Sequence, residues 1–240
     1  MKFFLAPMQG LTGYTVRNSF HHHFDYIDKY YTPFIPAAKR MNAKIKRDID
    51  PVNNDGITLI PQAMSIVADE VIDLHRQLVP YGYDEINVNL GCPSGTVVSK
   101  KRGSGILAYP DMLDSFLDDL YTKADFPVSI KTRVGFNDDE LWPRLIEIYS
   151  KYPISELTVH PRVQKDFYKN MPRMDDFALA MQKINPDKTI LCYNGDITDI
   201  NSFNALTDCF PDIDEIMIGR GLFANPALIA ELKGISMDKA

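Results

Sequence analysis

The residues best equipped for chemistry fall in a few short segments. Asn89-Leu90-Gly91-Cys92-Pro93 places a thiol where Gly91 permits close backbone approach and Pro93 fixes the turn. A cysteine with an ordinary pKa of about 8.5 keeps its proton near neutral pH and can deliver it to carbon, or lose it and attack as a nucleophile. Most free cysteines are small buried core side chains, and that reading suffices for Cys192, in an apolar strand, and Cys209, at a helix end. Lys131 and His160, with Arg162 two residues beyond, form a cationic set suited to a planar anion. With one good ligand among them, they do not suit a metal. Asn194-Gly195-Asp196 and Gly219-Arg220-Gly221 each precede a helical stretch, and free N–H groups there, with glycines and an arginine, make a phosphate site. Either glycine pair alone reads as a plain turn; two in one register are more specific.

These segments need a scaffold that gathers them. Short β-prone runs recur at 3–6, 26–31, 58–62, 85–89, 128–132, 156–160, 189–194 and 215–219, with helical spacing at 68–79, 111–122, 139–151, 174–184 and 199–206. Eight strands alternating with helices predict a single-domain α/β fold, a (β/α)8 TIM barrel over 1–235 with a tail at 236–240. A doubly wound open sheet is the alternative. Period-2 alternation sets Ile86 and Val88 against Asn87 and Asn89. It sets Val128 and Ile130 against Ser129, Lys131 and Arg133, and Leu157 and Val159 against Thr158 and His160. The polar file faces the barrel axis if the apolar file packs on outer helices. Seven of the eight strands end in capable residues: Pro7–Met8, Gln62, Asn89 with Gly91–Cys92, Lys131, His160, Asn194–Gly195 and Gly219–Arg220–Gly221. In a barrel all of these reach one mouth.

Composition bounds the rest. The 240 residues carry 26 Lys and Arg against 32 Asp and Glu, a net charge of −6, and 45% are hydrophobic. Disorder, collagen-like repetition and a disulfide scaffold are excluded. Three scattered cysteines fit a reducing compartment, the apolar start is too short for a signal peptide, and no run reaches the ~20 residues of a membrane helix. Cytoplasmic location is expected, with no membrane partner and a monomer by default. An acidic chain meets RNA only through a local basic patch. Two candidates are Lys39, Arg40, Lys44, Lys46 and Arg47, and then Lys100, Lys101 and Arg102, which would rim the mouth beside Cys92. His21-His22-His23 cannot converge on one ion from a helix, because successive residues fan out by about 100°.

Jointly, the motifs resemble the tRNA-dihydrouridine synthases, flavoenzymes with an FMN-binding (β/α)8 barrel. Matching segments are 5–12, Asn89-Leu90-Gly91-Cys92-Pro93, Gly103-Ser104-Gly105-Ile106-Leu107, Lys131-Thr132-Arg133, His160-Pro161-Arg162, Asn194-Gly195-Asp196-Ile197 and 219–226, in family order over nearly the whole chain. The resemblance implies that Pro7, Met8 and Gln62 line the isoalloxazine and that Lys131 and His160 meet its polar edge and ribityl chain. Asn194, Gly195, Asp196, Gly219 and Arg220 would serve the phosphate end. It implies that NADPH reduces the flavin, that flavin N5 gives hydride to C6 of a flipped-out tRNA uridine and that Cys92 protonates C5. Asn89, Lys100, Lys101, Arg102 and Arg162 would contact the RNA substrate. Two departures stand out. Gly13 replaces a usual acidic residue, and the chain stops soon after Pro226, so the helical tRNA-gripping domain that normally follows the barrel is expected to be absent.

Other functions share such a scaffold. A flavin barrel reductase of small molecules and a non-catalytic flavin- or RNA-binding barrel are the competing expectations. The first differs from a tRNA enzyme in the salt dependence of substrate binding, the second in lacking any need for the Cys92 thiol.

Overall fold

Ten parallel strands organise the protein, a computed structural model that describes residues 1–37 and 40–235. Lys39 and the expected tail at 236–240 lie outside the described residues. The strands are β1 (Lys2–Leu5), β2 (Lys29–Tyr31), β3 (Ile35–Pro36), β4 (Leu59–Ile60), β5 (Gln62–Met64), β6 (Ile86–Leu90), β7 (Val128–Gly135), β8 (Glu156–Val163), β9 (Ile190–Tyr193) and β10 (Glu215–Ile218). The helices are α1 (Tyr14–His23), α2 (Ala43–Ile49), α3 (Ala68–Leu78), α4 (Gly95–Val98), α5 (Pro110–Lys123), α6 (Trp142–Ser150), α7 (Met174–Lys183), α8 (Ile200–Cys209), α9 (Arg220–Ala224) and α10 (Leu228–Leu232).

The sheet order is β3-β5-β6-β7-β8-β9-β10-β1-β2-β4. Its two ends belong to neighbouring pieces of chain. β4 and β5 are one extended run broken at Pro61, which has no N–H to donate, and they pair with β2 and β3 respectively. Between the two pairings, the Thr32 N–H donates to the Ile60 carbonyl (3.1 Å) and the Gln62 N–H donates to Thr32 Oγ1 (3.0 Å). The sheet is thus curled, α/β in class, with its ends brought together.

Side-chain parity decides its two faces. Phe3, Leu5, Ile86, Val88, Ile130, Leu157, Val159, Ile216 and Ile218 join the large core formed with the helices. The opposite file holds a small apolar cluster of Phe4, Ala6, Tyr31, Ile60, Cys192 and Met217, to which no helix residue contributes. That inner face also carries buried polar side chains, most of them paired with a neighbour, although His160 Nε2 and Glu215 Oε2 have no partner. Asn87 Nδ2 donates to Ser129 Oγ (3.0 Å), and Glu156 accepts from Lys29 (2.6 Å), Tyr31 (2.7 Å) and Thr158 (2.8 Å).

Some boundaries move for local reasons. The helix expected from 139 begins at Trp142 with Pro143 in its first turn, where a missing N–H is harmless. β7 and β8 extend to Gly135 and Val163 and so include Arg133 and Arg162, with a register shift between the Arg133–His160 and Gly135–Val163 pairs. Gly13 cannot cap α1 with a side chain, so Asp48 from α2 does so from a distance. Its Oδ1 accepts from the Tyr14 N–H (2.7 Å), and its Oδ2 pairs with buried Arg17 (3.2 Å). Arg17 in turn donates to the Thr12 carbonyl (2.8 Å), which steadies the segment after β1.

Candidate active site

Strand ends on the inner face open into one cavity of about 990 Å³. Pro7 and Met8 reach it after β1, Gln62 from β5, Asn89 and Cys92 from β6 and its following loop, and Lys131 and His160 from β7 and β8. Asn194, Gly195 and Asp196 enter after β9, and Gly219 and Arg220 after β10. Arg162, Lys100, Lys101 and Arg102 stand outside that lining. Arg102 pairs with Glu70 (3.2 Å), and the Lys101 ammonium lies 4.4 Å from the centre of the Tyr109 ring.

The thiol is held by its backbone. Asn89 Oδ1 accepts from the N–H groups of Gly91 (3.2 Å) and Cys92 (2.9 Å), while its Nδ2 donates to Gln62 Oε1 (2.8 Å) and Gln62 Nε2 to Asn87 Oδ1 (2.8 Å). On the other side, the Cys92 carbonyl accepts from the N–H (3.1 Å) and Oγ (2.9 Å) of Ser104. Gly103 makes that approach possible, since it adopts φ +55° and a Cβ there would lie 2.7 Å from the Cys92 oxygen. Burial pushes the Cys92 thiol up, against the Ser94 N–H and the charges of Arg133 and Lys131. The thiol is therefore a proton carrier at neutral pH, with two cations placed to stabilise the thiolate left after donation.

Lys131 faces Asn89 across the β6–β7 ladder. Burial, reinforced by the Arg133 charge, brings its ammonium down to about 7. Burial and the same two cations hold the His160 imidazole well below its usual range, so it is neutral. Asn194 is fixed by donating to the Met217 carbonyl (2.7 Å). Asp196 receives both terminal nitrogens of buried Arg162 and accepts from Arg220 (2.6 Å). Burial opposes its charge, but the two guanidinium groups outweigh that and keep the carboxyl below its usual range. Arg162 thus shares the inner face of β8, with its guanidinium spent on Asp196 and on the Asn170 carbonyl (2.5 Å) rather than on the cavity.

Among the cavity residues that sequence reasoning left out of the site are Arg133, Phe167, Tyr168 and Met171. Arg133 was already on the polar file by parity, and it links three segments by donating to the carbonyls of Gly91, Val163 and Phe167, each at 2.9 Å. The other three lie on the loop after β8, where no periodicity points inward. Tyr168 packs against the guanidinium groups of Arg133 (5.3 Å) and Arg220 (4.8 Å) and lies 6.1 Å from the His160 ring. A half-open cavity with an apolar wall, buried cations and a proton-bearing thiol suits reduction or proton transfer on a flat, anionic ligand.

Among the described residues, no group of three His, Cys, Asp or Glu side chains could hold a metal, and no helix is long and apolar enough to cross a membrane. A family model described as Dihydrouridine synthase (Dus) matches residues 4–239. The probable tRNA-dihydrouridine synthase of Staphylococcus aureus (strain Mu50 / ATCC 700699) is 34% identical over 154 residues, covering 62% of this chain and 46% of that protein. The tRNA-dihydrouridine synthase B of Pasteurella multocida (strain Pm70) is 26% identical over 243 residues, covering 98% and 69%. The chain thus matches about half the length of the first relative and about two thirds of the second. Among solved structures, morphinone reductase superposes with a TM-score of 0.64 at 10% identity, covering 99% of this chain and 87% of that one. The 3-hexulose-6-phosphate synthase of Salmonella typhimurium superposes at 0.59 and 14%, covering 98% and 96%. At such identities the likeness concerns the fold.

Proposed function

This chain belongs to the dihydrouridine synthase family, and on that premise we propose that it reduces a uridine of tRNA to 5,6-dihydrouridine. We take the curled ten-stranded sheet as a (β/α)8 barrel over 1–235, counting β2 with β3 and β4 with β5 as two interrupted strands so that there are eight in all. Two features of the cavity match FMN. His160 Nε2 is buried without a hydrogen-bond partner, and Lys131 has no carboxylate partner among the described residues. Both are groups awaiting a polar ligand. These residues fit the cofactor.

Pro7 and Met8 would then form the apolar wall against the ring, with Gln62, Lys131 and His160 at its polar side, and Asn194, Gly195, Asp196, Gly219 and Arg220 at the phosphate end. Bound there and reduced by NADPH, FMN would supply the hydride for uridine C6. Cys92 supplies the proton that reaches C5, and Lys131 and Arg133 stabilise the resulting thiolate until water reprotonates it. Asn89 and Arg133 fix the position of the Cys92 segment through its backbone, and a uridine that reaches Cys92 in the cavity would have to leave the RNA stack. Lys100, Lys101 and Arg102, outside the cavity, are assigned to tRNA phosphates, and Arg162 acts through Asp196. The setting is the cytoplasm.

One observation carries the reading: within this family, Cys92 and Lys131 open onto the same cavity from adjacent strands. Anaerobic titration of the purified protein with NADPH tests it, followed by assay of an unmodified tRNA transcript. A flavin spectrum that bleaches, then dihydrouridine in the RNA, is expected. Failure to take up FMN on reconstitution would overturn it.

A further inference from the structure

Between β8 and α7, the loop 164–173 turns two consecutive aromatic side chains to different tasks. Tyr168, 50% exposed, packs one side against the guanidinium groups of Arg133 and Arg220. Phe167 borders the cavity yet remains 46% exposed, and Met171 is 81% exposed beside it. Large apolar side chains gathered at the rim of a polar cavity mark a contact surface.

The loop is built rather than slack. Phe167 stands at φ +50°, a backbone region a bulky residue seldom enters. Buried Asp166 holds the turn by accepting from the Val163 N–H (3.1 Å), from Asn170 Nδ2 and from Arg173. Arg133 grips the Phe167 carbonyl (2.9 Å) and Arg162 the Asn170 carbonyl (2.5 Å). These contacts hold the backbone that carries Phe167 in place.

Charge completes the surface. Lys165 and Lys169 flank the aromatic pair, both exposed, and among the described residues neither has a carboxylate within 4.0 Å. The nearby Arg173 is instead shared between Asp166 and Asp139, and Lys123, Lys151 and Lys183 on the helices are all ion-paired. Two free ammonium groups beside an exposed ring match the chemistry of unpaired RNA, in which a base stacks on an aromatic face while its phosphates meet lysines.

Resting on the tRNA reading above and extending it, we propose that this loop is a second RNA contact. Phe167, with Met171 at its side, stacks on a nucleobase adjacent to the extruded uridine, and Lys165 and Lys169 engage the neighbouring phosphates. Loop 164–173 then selects for a uridine in a splayed, single-stranded context.

The test is fluorescence anisotropy of a labelled unmodified tRNA transcript with the full chain at several salt concentrations. Phe167→Ala weakens binding by about 5- to 100-fold, the range for loss of one stacked base. The double variant Lys165→Gln/Lys169→Gln lowers the slope of log affinity against log salt by about 1.5. Phe167→Trp keeps a ring, retains binding and shows indole quenching when tRNA is added, which guards against a folding artefact. If the parent binds tRNA and forms dihydrouridine while all three variants bind like the parent without quenching, the loop contact is overturned and the function stands. If the parent itself neither binds tRNA nor modifies it, the underlying reading falls too.

Discussion

His160 directs Nδ1 at the main-chain oxygen of Asn194, 2.5 Å away, and leaves Nε2 buried with no partner. The carbonyl can only accept, so the imidazole carries its proton on Nδ1 and offers Nε2 to the cavity as an acceptor. The segment after β9 thereby sets which kind of ligand atom His160 can meet: a hydroxyl or N–H, not a phosphate oxygen.

His160→Ala should weaken FMN binding by about tenfold, the worth of one hydrogen bond to a buried neutral partner. Quenching of flavin fluorescence during titration measures it. Burial and the charges of Arg133 and Lys131 hold this imidazole well below its usual range, so its own titration should not shape FMN binding near neutral pH.

Lys131 contributes one instead. Its ammonium, brought down to about 7 by burial, is charged below that pH and neutral above it. Attraction for an anionic ligand is present at pH 6 and is lost as pH rises towards 8, so FMN affinity should fall over that range. The FMN phosphate titrates as well, and Lys131→Met separates the two, since the variant should bind weakly at pH 6 and lose the lysine's share of the pH dependence. Titrations of apoprotein at both pH values provide the comparison.

Cys92→Ala should lower the rate of dihydrouridine formation by about 10²- to 10⁴-fold, the usual yield of a positioned general acid. FMN binding, followed in parallel, reports whether the pocket stays intact. In the parent, the thiol must hold its proton, and burial raises its pKa, so the alkaline limb of the rate profile should lie above the ordinary thiol range.

Gly103→Ala places a methyl 2.7 Å from the Cys92 carbonyl oxygen at a backbone angle unfavourable to alanine. Stability should drop by about 1–3 kcal/mol in urea unfolding. Turnover should fall with it, because the same displacement moves the thiol. A variant with normal turnover would show that the contact does not position Cys92.

Glu156→Ala should be more damaging than its distance from the cavity implies. Glu156 accepts from Lys29, Tyr31 and Thr158 inside the sheet, and removal leaves a partly buried ammonium and two hydroxyls without their acceptor. About 3–5 kcal/mol of stability should be lost, read as a lower urea midpoint.

Much of this arrangement was legible from strand parity. Asn87, Asn89, Ser129, Lys131, His160 and Asn194 fall on the inner face because alternate residues of a strand point to opposite sides, and neighbours one or two positions away reveal that alternation. The interruption at Pro61 was written in the residue itself, although its effect, splitting one strand into β4 and β5, was not foreseen.

Other features have no local signature. Asp48 takes over the end of α1 that Gly13 cannot cap, Asp196 consumes the guanidinium of Arg162, and loop 164–173 folds Phe167 and Tyr168 over the cavity. Each joins side chains with no fixed spacing along the chain, on elements whose approach depends on how the sheet curls. The amino-acid order alone therefore determined which residues face inward and which strand ends carry chemistry, since both follow from the short period of an extended backbone. Only the tertiary structure decided which of those groups remain free to act, because a charge is available or spent according to the partners that packing brings within about 3 Å of it.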